Sequence, residues 1–114
     1  MGRTKAIGKQ AEDAAADHLL GLGYTLITRR FKGKTCELDI VCLDGETLVF
    51  VEVKARFAPG FKPEESIGSS KLRRFQRAAQ EYLLASGEER DFRFDVVAID
   101  RDGLRHHINI FADA

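Results

Sequence analysis

The sequence predicts an α/β fold in which a mixed central sheet is flanked by helices. Three observations predict it. A helix-period run opens the chain, with Ile7, Ala11, Ala14, Ala15, His18, Leu19 and Leu22 at three- and four-residue intervals. Two apolar, strand-like runs then meet at Asp44-Gly45, a strong hairpin signal. A second helical run separates this hairpin from a further alternating stretch, as a crossover back into the same sheet requires. At 114 residues and 44% hydrophobic, the chain suits one compact domain with a single core.

The first helix runs from about Lys5 to Leu22, and Gly21 and Gly23 mark its end. Glu12 falls on the flank of its apolar stripe. Tyr24 to Arg30 alternates as a first strand and leads into a basic turn, Arg29-Arg30-Phe31-Lys32-Gly33-Lys34. The hairpin follows. After it, Phe57 to Pro63 holds both prolines of the chain and reads as a loop, either a flap or a partner-contact surface presenting Phe57 and Phe61. A second helix spans about Ser70 to Ala85, capped by Ser69 or Ser70, with Leu72, Phe75, Ala79, Tyr82 and Leu83 as its buried stripe. Its start carries Lys71, Arg73, Arg74 and Arg77 with no acid, against the helix dipole. Phe92 to Ile99 is another strand, in which Arg93 and Asp95 share a face as an ion pair. Asp102-Gly103 turns it into an edge strand, Leu104 to Ile110.

The hairpin carries the chemistry. With Asp44-Gly45 as a two-residue loop, Leu43 faces Glu46, Val41 faces Leu48, Asp39 faces Phe50 and Glu37 faces Glu52. Side chains alternate across a strand, so Glu37, Asp39, Val41, Phe50, Glu52 and Lys54 share one face. Leu38, Ile40, Cys42, Val49, Val51 and Val53 form an apolar wall on the other. Asp39 and Glu52 then lie on a cross-strand diagonal, roughly 7–8 Å apart at the backbone. Two carboxylates at that range repel, and burying them is costly unless a cation or donors compensate. A hard divalent ion held by oxygen ligands is the natural compensator. Lys54, two residues beyond Glu52, points the same way. A solvated edge pair is the plain alternative for a Glu-x-Lys triplet, and an aspartate on the partner strand argues against it.

Composition excludes several classes. The 18 basic and 18 acidic residues cancel, so bulk charge does not hold this chain on nucleic acid, though a local basic face remains open to it. Apolar runs such as Leu48 to Val51 are too short to span a bilayer, and no signal peptide follows Arg3 and Lys5. Cytoplasmic residence is the expectation. Cys36 and Cys42 stand roughly 20 Å apart in an extended strand, beyond disulfide reach, and no Cys/His cluster offers a zinc site. His18 lies alone in a helix, and the neighbours His106 and His107 point to opposite faces of a strand.

The Asp39…Glu52-x-Lys54 pattern on a hairpin resembles the PD-(D/E)xK nuclease superfamily, the fold of many restriction enzymes and Holliday-junction resolvases. Nearly the whole chain resembles the YraN family of small bacterial proteins, described as candidate endonucleases. That likeness is carried by Gly8, Glu12, Ala15 and Leu19, then Gly23-Tyr24, Glu37-Leu38-Asp39, Phe50 to Arg56, Lys71, and Arg93 to Val97. Cys36 departs from it, because the family usually has glycine before its Glu-x-Asp. The resemblance implies a restriction-endonuclease-like αβββαβ core and a Mg²⁺-dependent phosphodiesterase acting on DNA, with Mn²⁺ as substitute metal. Asp39, Glu52 and the Val53 carbonyl would be the metal ligands, with Glu12 or Glu37 reaching the ion directly or through water. Lys54 would be the catalytic cation. Arg29, Arg30, Lys32, Arg56, Lys71 and Arg74 would hold the sugar-phosphate backbone without reading bases. Branched or single-stranded DNA would be the substrate and, by analogy with resolvases, a homodimer the working unit. Two other readings stay open: a binding module that keeps the nuclease fold without turnover, and a protein-interaction domain.

Overall fold

The computed structural model describes residues 2–60 and 62–111, with side chains from Gly8 onward. Helix α1 spans Gly2–Gly21, followed by strands β1 (Thr25–Lys32), β2 (Glu37–Asp44) and β3 (Thr47–Ala55). A single 3-10 turn at Pro63–Ser66 leads into helix α2 (Ser69–Ser86), after which come β4 (Phe92–Asp100) and β5 (Gly103–His107). The strands form one sheet in sequence order, β1-β2-β3-β4-β5. Neighbours are antiparallel except β3 and β4, which run parallel because helix α2 carries the chain back across the sheet between them. This is the expected α/β class, and its order is compatible with a restriction-endonuclease-like core. Among the described residues no helix is long and apolar enough to cross a membrane.

Each helix covers one face of the sheet. Ala15, Ala16 and Leu19 of α1 pack on Ile40, Cys42, Val49, Val51 and Val97. On the other face Phe75, Ala78, Ala79 and Tyr82 of α2 pack on Val41, Leu48, Phe50 and Phe94. Because both faces are covered, β3 reads Leu48-Val49-Phe50-Val51 with no polar interruption, all four residues buried. Helix α1 is rolled relative to the stripe read from the sequence. Ala11, Glu12, Ala15, Ala16 and Leu19 face inward, while Ala14 and Leu22 are exposed; the side chain of Ile7 lies outside the described residues. Glu12 therefore sits within the buried stripe and not on its flank.

The hairpin is closed one residue later than expected. Asp44 pairs with Thr47 and Leu43 with Leu48, so the loop is Gly45-Glu46. Gly45, at φ 61°, takes the first central position, where a glycine accepts a positive φ that other residues resist. Asp44 stays in the strand, and Arg93 Nη1 donates to its Oδ2 at 2.9 Å. The move leaves every residue on its expected face at the turn end. The ladder runs to Ile40↔Val51, so Asp39 and Glu52 are the first residues beyond its end.

A second difference lies at the other end of the hairpin. The β1–β2 pairing passes from Arg29↔Ile40 to Phe31↔Leu38 and skips Arg30 and Asp39. Arg30 has φ 56°, the left-handed region that non-glycine residues seldom enter. Alternation is broken there. Ile40 faces α1, yet Leu38 packs with Phe31 and the α2 cluster, so the apolar wall expected to include Leu38 ends at Ile40. The β2–β3 ladder likewise ends at Ile40↔Val51. Helix α2 is also capped differently, by Gly68 and without a side-chain hydrogen bond, so neither Ser69 nor Ser70 is its cap.

The far side of the α1 face is fastened by a buried acid. Asp95, with no exposed surface, accepts from Arg93 Nε at 3.0 Å and from the Asn109 amide at 2.9 Å, and its Oδ2 lies 2.8 Å from His106 Nε2. His18 is not alone, since its Nε2 lies 3.1 Å from His106 Nδ1. The contacts to Asp95 hold its carboxyl below the usual range although burial pushes it up. His107 turns the other way, to Glu64. Asp95→Ala would remove the acceptor shared by Arg93 Nε, the Asn109 amide and His106, leaving Arg93 only Asp44 and Tyr24, and we expect a loss of about 3 kcal/mol in urea denaturation. Asp95→Asn, which keeps an acceptor for the Asn109 amide, should recover part of that loss.

Candidate functional site

At the point where β2 parts from β3, a main-chain amide loses its ladder partner. The Asp39 side chain replaces it: the Val53 N–H donates to Asp39 Oδ2 at 2.8 Å. This bond fixes the carboxyl beside Glu52, the residue before Val53. Glu52 is only 4% exposed. Lys71, from the first turn of α2, reaches over it with Nζ 2.8 Å from Oε2. Lys54 adjoins Lys71, and both ammonium groups feel Glu52 and Asp39. Two acids from adjacent strands thus meet two lysines, one from β3 and one from α2.

The electrostatics follow from that crowding. Burial, together with a hydrogen bond and like charge shared with Glu52, drives the Asp39 carboxyl up to about 8, against the opposing pull of the Val53 amide. Lys54 is lowered by its contact with Lys71 and by burial. Lys71 goes the other way: burial works against its charge, and the contacts with Glu52 and Lys54 outweigh it. Each acid is therefore held next to a neighbour of its own sign, and the lysines supply the compensation within the quartet.

Asp39 and Lys54 open onto a cleft of about 650 Å³, lined also by Glu12, Arg30, Glu37 and Val53 and roofed by the first half of α1. Glu52 lies behind it, toward α2. Glu12 reaches this cleft but is already engaged. It accepts from Arg29 Nε at 2.8 Å and from Arg30 Nε at 3.2 Å, while Arg29 Nη2 also binds Asp13 at 2.7 Å. The buried carboxylate of Glu12 holds Arg30 in its left-handed conformation over the cleft wall. Of the expected backbone-binding cations, Arg29, Arg30 and Lys71 are thus paired within the chain. Lys32 and Arg74 are exposed, and Arg56 follows the end of β3 with its amide on the Ile99 carbonyl at 3.1 Å. The basic turn is closed at Gly33, whose amide donates to the Cys36 carbonyl at 2.9 Å, and pinned to α2 where the Lys34 amide donates to Glu81 Oε2 at 2.9 Å. A Cβ at Gly33 would collide with that carbonyl and with Glu81.

The sequence brought Asp39, Glu52 and Lys54 together, and the structure adds Lys71 as their direct partner. The signal available was the row of cations at the start of α2, unbalanced against the helix dipole. Among the described residues no three His, Cys, Asp or Glu side chains converge on one point. The side-chain donors at the fork are accordingly the Asp39–Glu52 pair. Magnesium is commonly held by one or two carboxylates, with water and substrate phosphates completing its shell, so this donor set fits such an ion.

Fold and site define an α/β protein in which a half-buried aspartate and a buried glutamate meet two lysines at a strand fork. Residues 11–99 match the family described as Uncharacterised protein family UPF0102. A UPF0102 protein of Chlorobium chlorochromatii is 42% identical over 98 residues, 85% of this chain and 76% of the relative. One of Persephonella marina is 37% identical and covers 91% of both chains. One of Geobacter sulfurreducens is 40% identical, over 94% of this chain and 89% of its own. The chain belongs to the UPF0102 family, also called YraN.

The protonated Asp39 stabilises the fold. That contribution is complete below the ordinary aspartate pKa of 3.8 and is lost as pH rises through about 8. Asp39→Asn keeps an oxygen for the Val53 amide and cannot ionise. In chelator, its melting temperature relative to the parent should climb from pH 5 to pH 9 and exceed it by several degrees at the alkaline end. A pH-independent difference would mean that Asp39 is not held next to a like charge.

Proposed function

We propose that this protein is a divalent-metal-dependent nuclease that hydrolyses phosphodiester bonds in DNA, and that it shares the chemistry of the PD-(D/E)xK enzymes. The observation that carries this reading is the meeting of Asp39, Glu52 and Lys54 beside an open cleft, at a fork between two strands. Clustered, buried acids of one sign destabilise a fold and have no use in simple phosphate binding, because they repel it. Asp39, Glu52 and the Val53 carbonyl would hold Mg²⁺, or Mn²⁺ in its place. Such an ion, when bound, lowers the pKa of a coordinated water and polarises the scissile phosphate.

The remaining work belongs to the chain. Lys54 Nζ, with its proton affinity lowered, can take a hydrogen bond from an attacking water, and in its charged form it neutralises oxygens of the phosphate as negative charge develops. The amide of Val53 keeps Asp39 oriented throughout. Glu12 acts through Arg30, presenting that guanidinium at the cleft wall. Arg56, Lys32 and Arg74 would position the sugar-phosphate backbone. Branched or single-stranded DNA is the substrate class that the proposed kinship favours, with two copies acting where two cuts are needed.

A binding module without turnover is the second reading. It is favoured by one observation: Glu52 and Glu12 already have cationic partners from the same chain. Incubation of flapped, branched and single-stranded DNA with Mg²⁺ separates the two. The nuclease reading expects cleavage that stops in chelator and falls at least about a hundredfold in Asp39→Ala and in Lys54→Ala. Equal cleavage by all three proteins would place the activity elsewhere. Salt-sensitive binding with no cleavage under any divalent ion would establish the module.

A further inference from the structure

The start of helix α2 is a poor place for a cation. Its first turn has no acidic residue and no side-chain cap, and the backbone amides there carry partial positive charge. Lys71 nevertheless occupies it, half-buried, with its ammonium group 2.8 Å from the almost fully buried Glu52. The contact offsets two liabilities at once, a buried carboxylate and a cation at the positive end of a helix.

A charge count shows what this contact implies for an incoming ion. Asp39, Glu52, Lys54 and Lys71 sum to zero when all are ionised. A divalent ion between the two acids would bring the sum to +2, with two ammonium groups alongside. That state is electrostatically unfavourable until an anion joins it or an ammonium withdraws. A phosphodiester satisfies both conditions, since its oxygens attract Lys71 away from Glu52 and lower the local charge. Lys71 can make that move because nearly a third of its side chain is exposed, against a twentieth of Glu52.

Resting on the nuclease reading, we propose that Lys71 is a latch. It stands in for the metal on Glu52 when no substrate is present and releases that carboxylate to the ion when a DNA phosphate draws it off. Metal and DNA are thereby coupled, each raising the affinity for the other. Lys71 is a positioning residue in this scheme, acting through Glu52. Coupling of this kind keeps the site closed to free cellular metal and confines hydrolysis to the DNA-bound protein.

The test is Mn²⁺ affinity, followed by electron paramagnetic resonance on the full chain. Lys71→Met keeps the aliphatic stem and removes the competing charge. It should bind Mn²⁺ about tenfold more tightly than the parent without DNA, the size expected from removing one nearby, partly screened charge. Lys71→Arg should behave like the parent, which separates charge from packing. Adding a thymidine oligonucleotide with phosphorothioate linkages should tighten Mn²⁺ binding by the parent and change that of Lys71→Met by less. Equal Mn²⁺ affinity in the parent and Lys71→Met, abolished in both by Glu52→Ala, overturns the latch and leaves the metal site standing. Absence of Mn²⁺ binding in every protein, with and without oligonucleotide, overturns the nuclease reading and the latch with it.

Discussion

The hydrogen bond from the Val53 amide to Asp39 is the contact on which the site depends. Antiparallel pairing between β2 and β3 ends one residue short of Asp39, so that amide must find another acceptor or remain unsatisfied in a half-buried place. A carboxylate from the diverging strand meets the need. In doing so it is held against Glu52, the residue before Val53, and cannot turn away to relieve the repulsion. The fork in the sheet and the acidic pair are one feature. A ladder that continued past Ile40 would leave Asp39 on an ordinary strand face and close the cleft.

Departures from regular geometry gather at this fork. Arg30 adopts a left-handed conformation opposite Asp39, and Leu38 changes face so that Phe31 and Leu38 both pack toward α2. Such strain costs on the order of 1–3 kcal/mol and persists only where surroundings hold it. Glu12 is what holds it here, gripping both arginines from inside the α1 stripe. The acid read as a further metal ligand is therefore placed to support the cleft wall. The two helices serve the fork from opposite sides. Helix α1 contributes the roof and Glu12, and α2 contributes Lys71.

The remainder of the molecule is insulated from this crowding. Asp95 sits on the α1 face of β4 and gathers Arg93, His106 and the Asn109 amide. Arg105 ties Glu64 and Asp100 together, which fixes the 3-10 turn before α2 against β5. Both networks set acids against cations or hydrogen-bond donors. At the fork Lys71 likewise faces Glu52, but there a second acid, Asp39, adjoins the first.

Periodicity alone determined the element order, the helix flanks and the mixed sheet, and it set Asp39, Glu52 and Lys54 at one end of the hairpin, because side-chain direction in a strand depends on local backbone geometry. Moving the turn from Asp44-Gly45 to Gly45-Glu46 left that grouping intact, since such a move changes the pairing by two residues and preserves parity. Long-range contacts decided the rest. The grip of Arg93 on Asp44 lies across 49 residues, that of Arg29 on Glu12 across 17, and that of Lys71 on Glu52 joins a helix to a strand. No local pattern encodes which cation will meet which acid. Packing sets those pairs, and with them whether a charged residue stays paired within the fold or is open to a ligand.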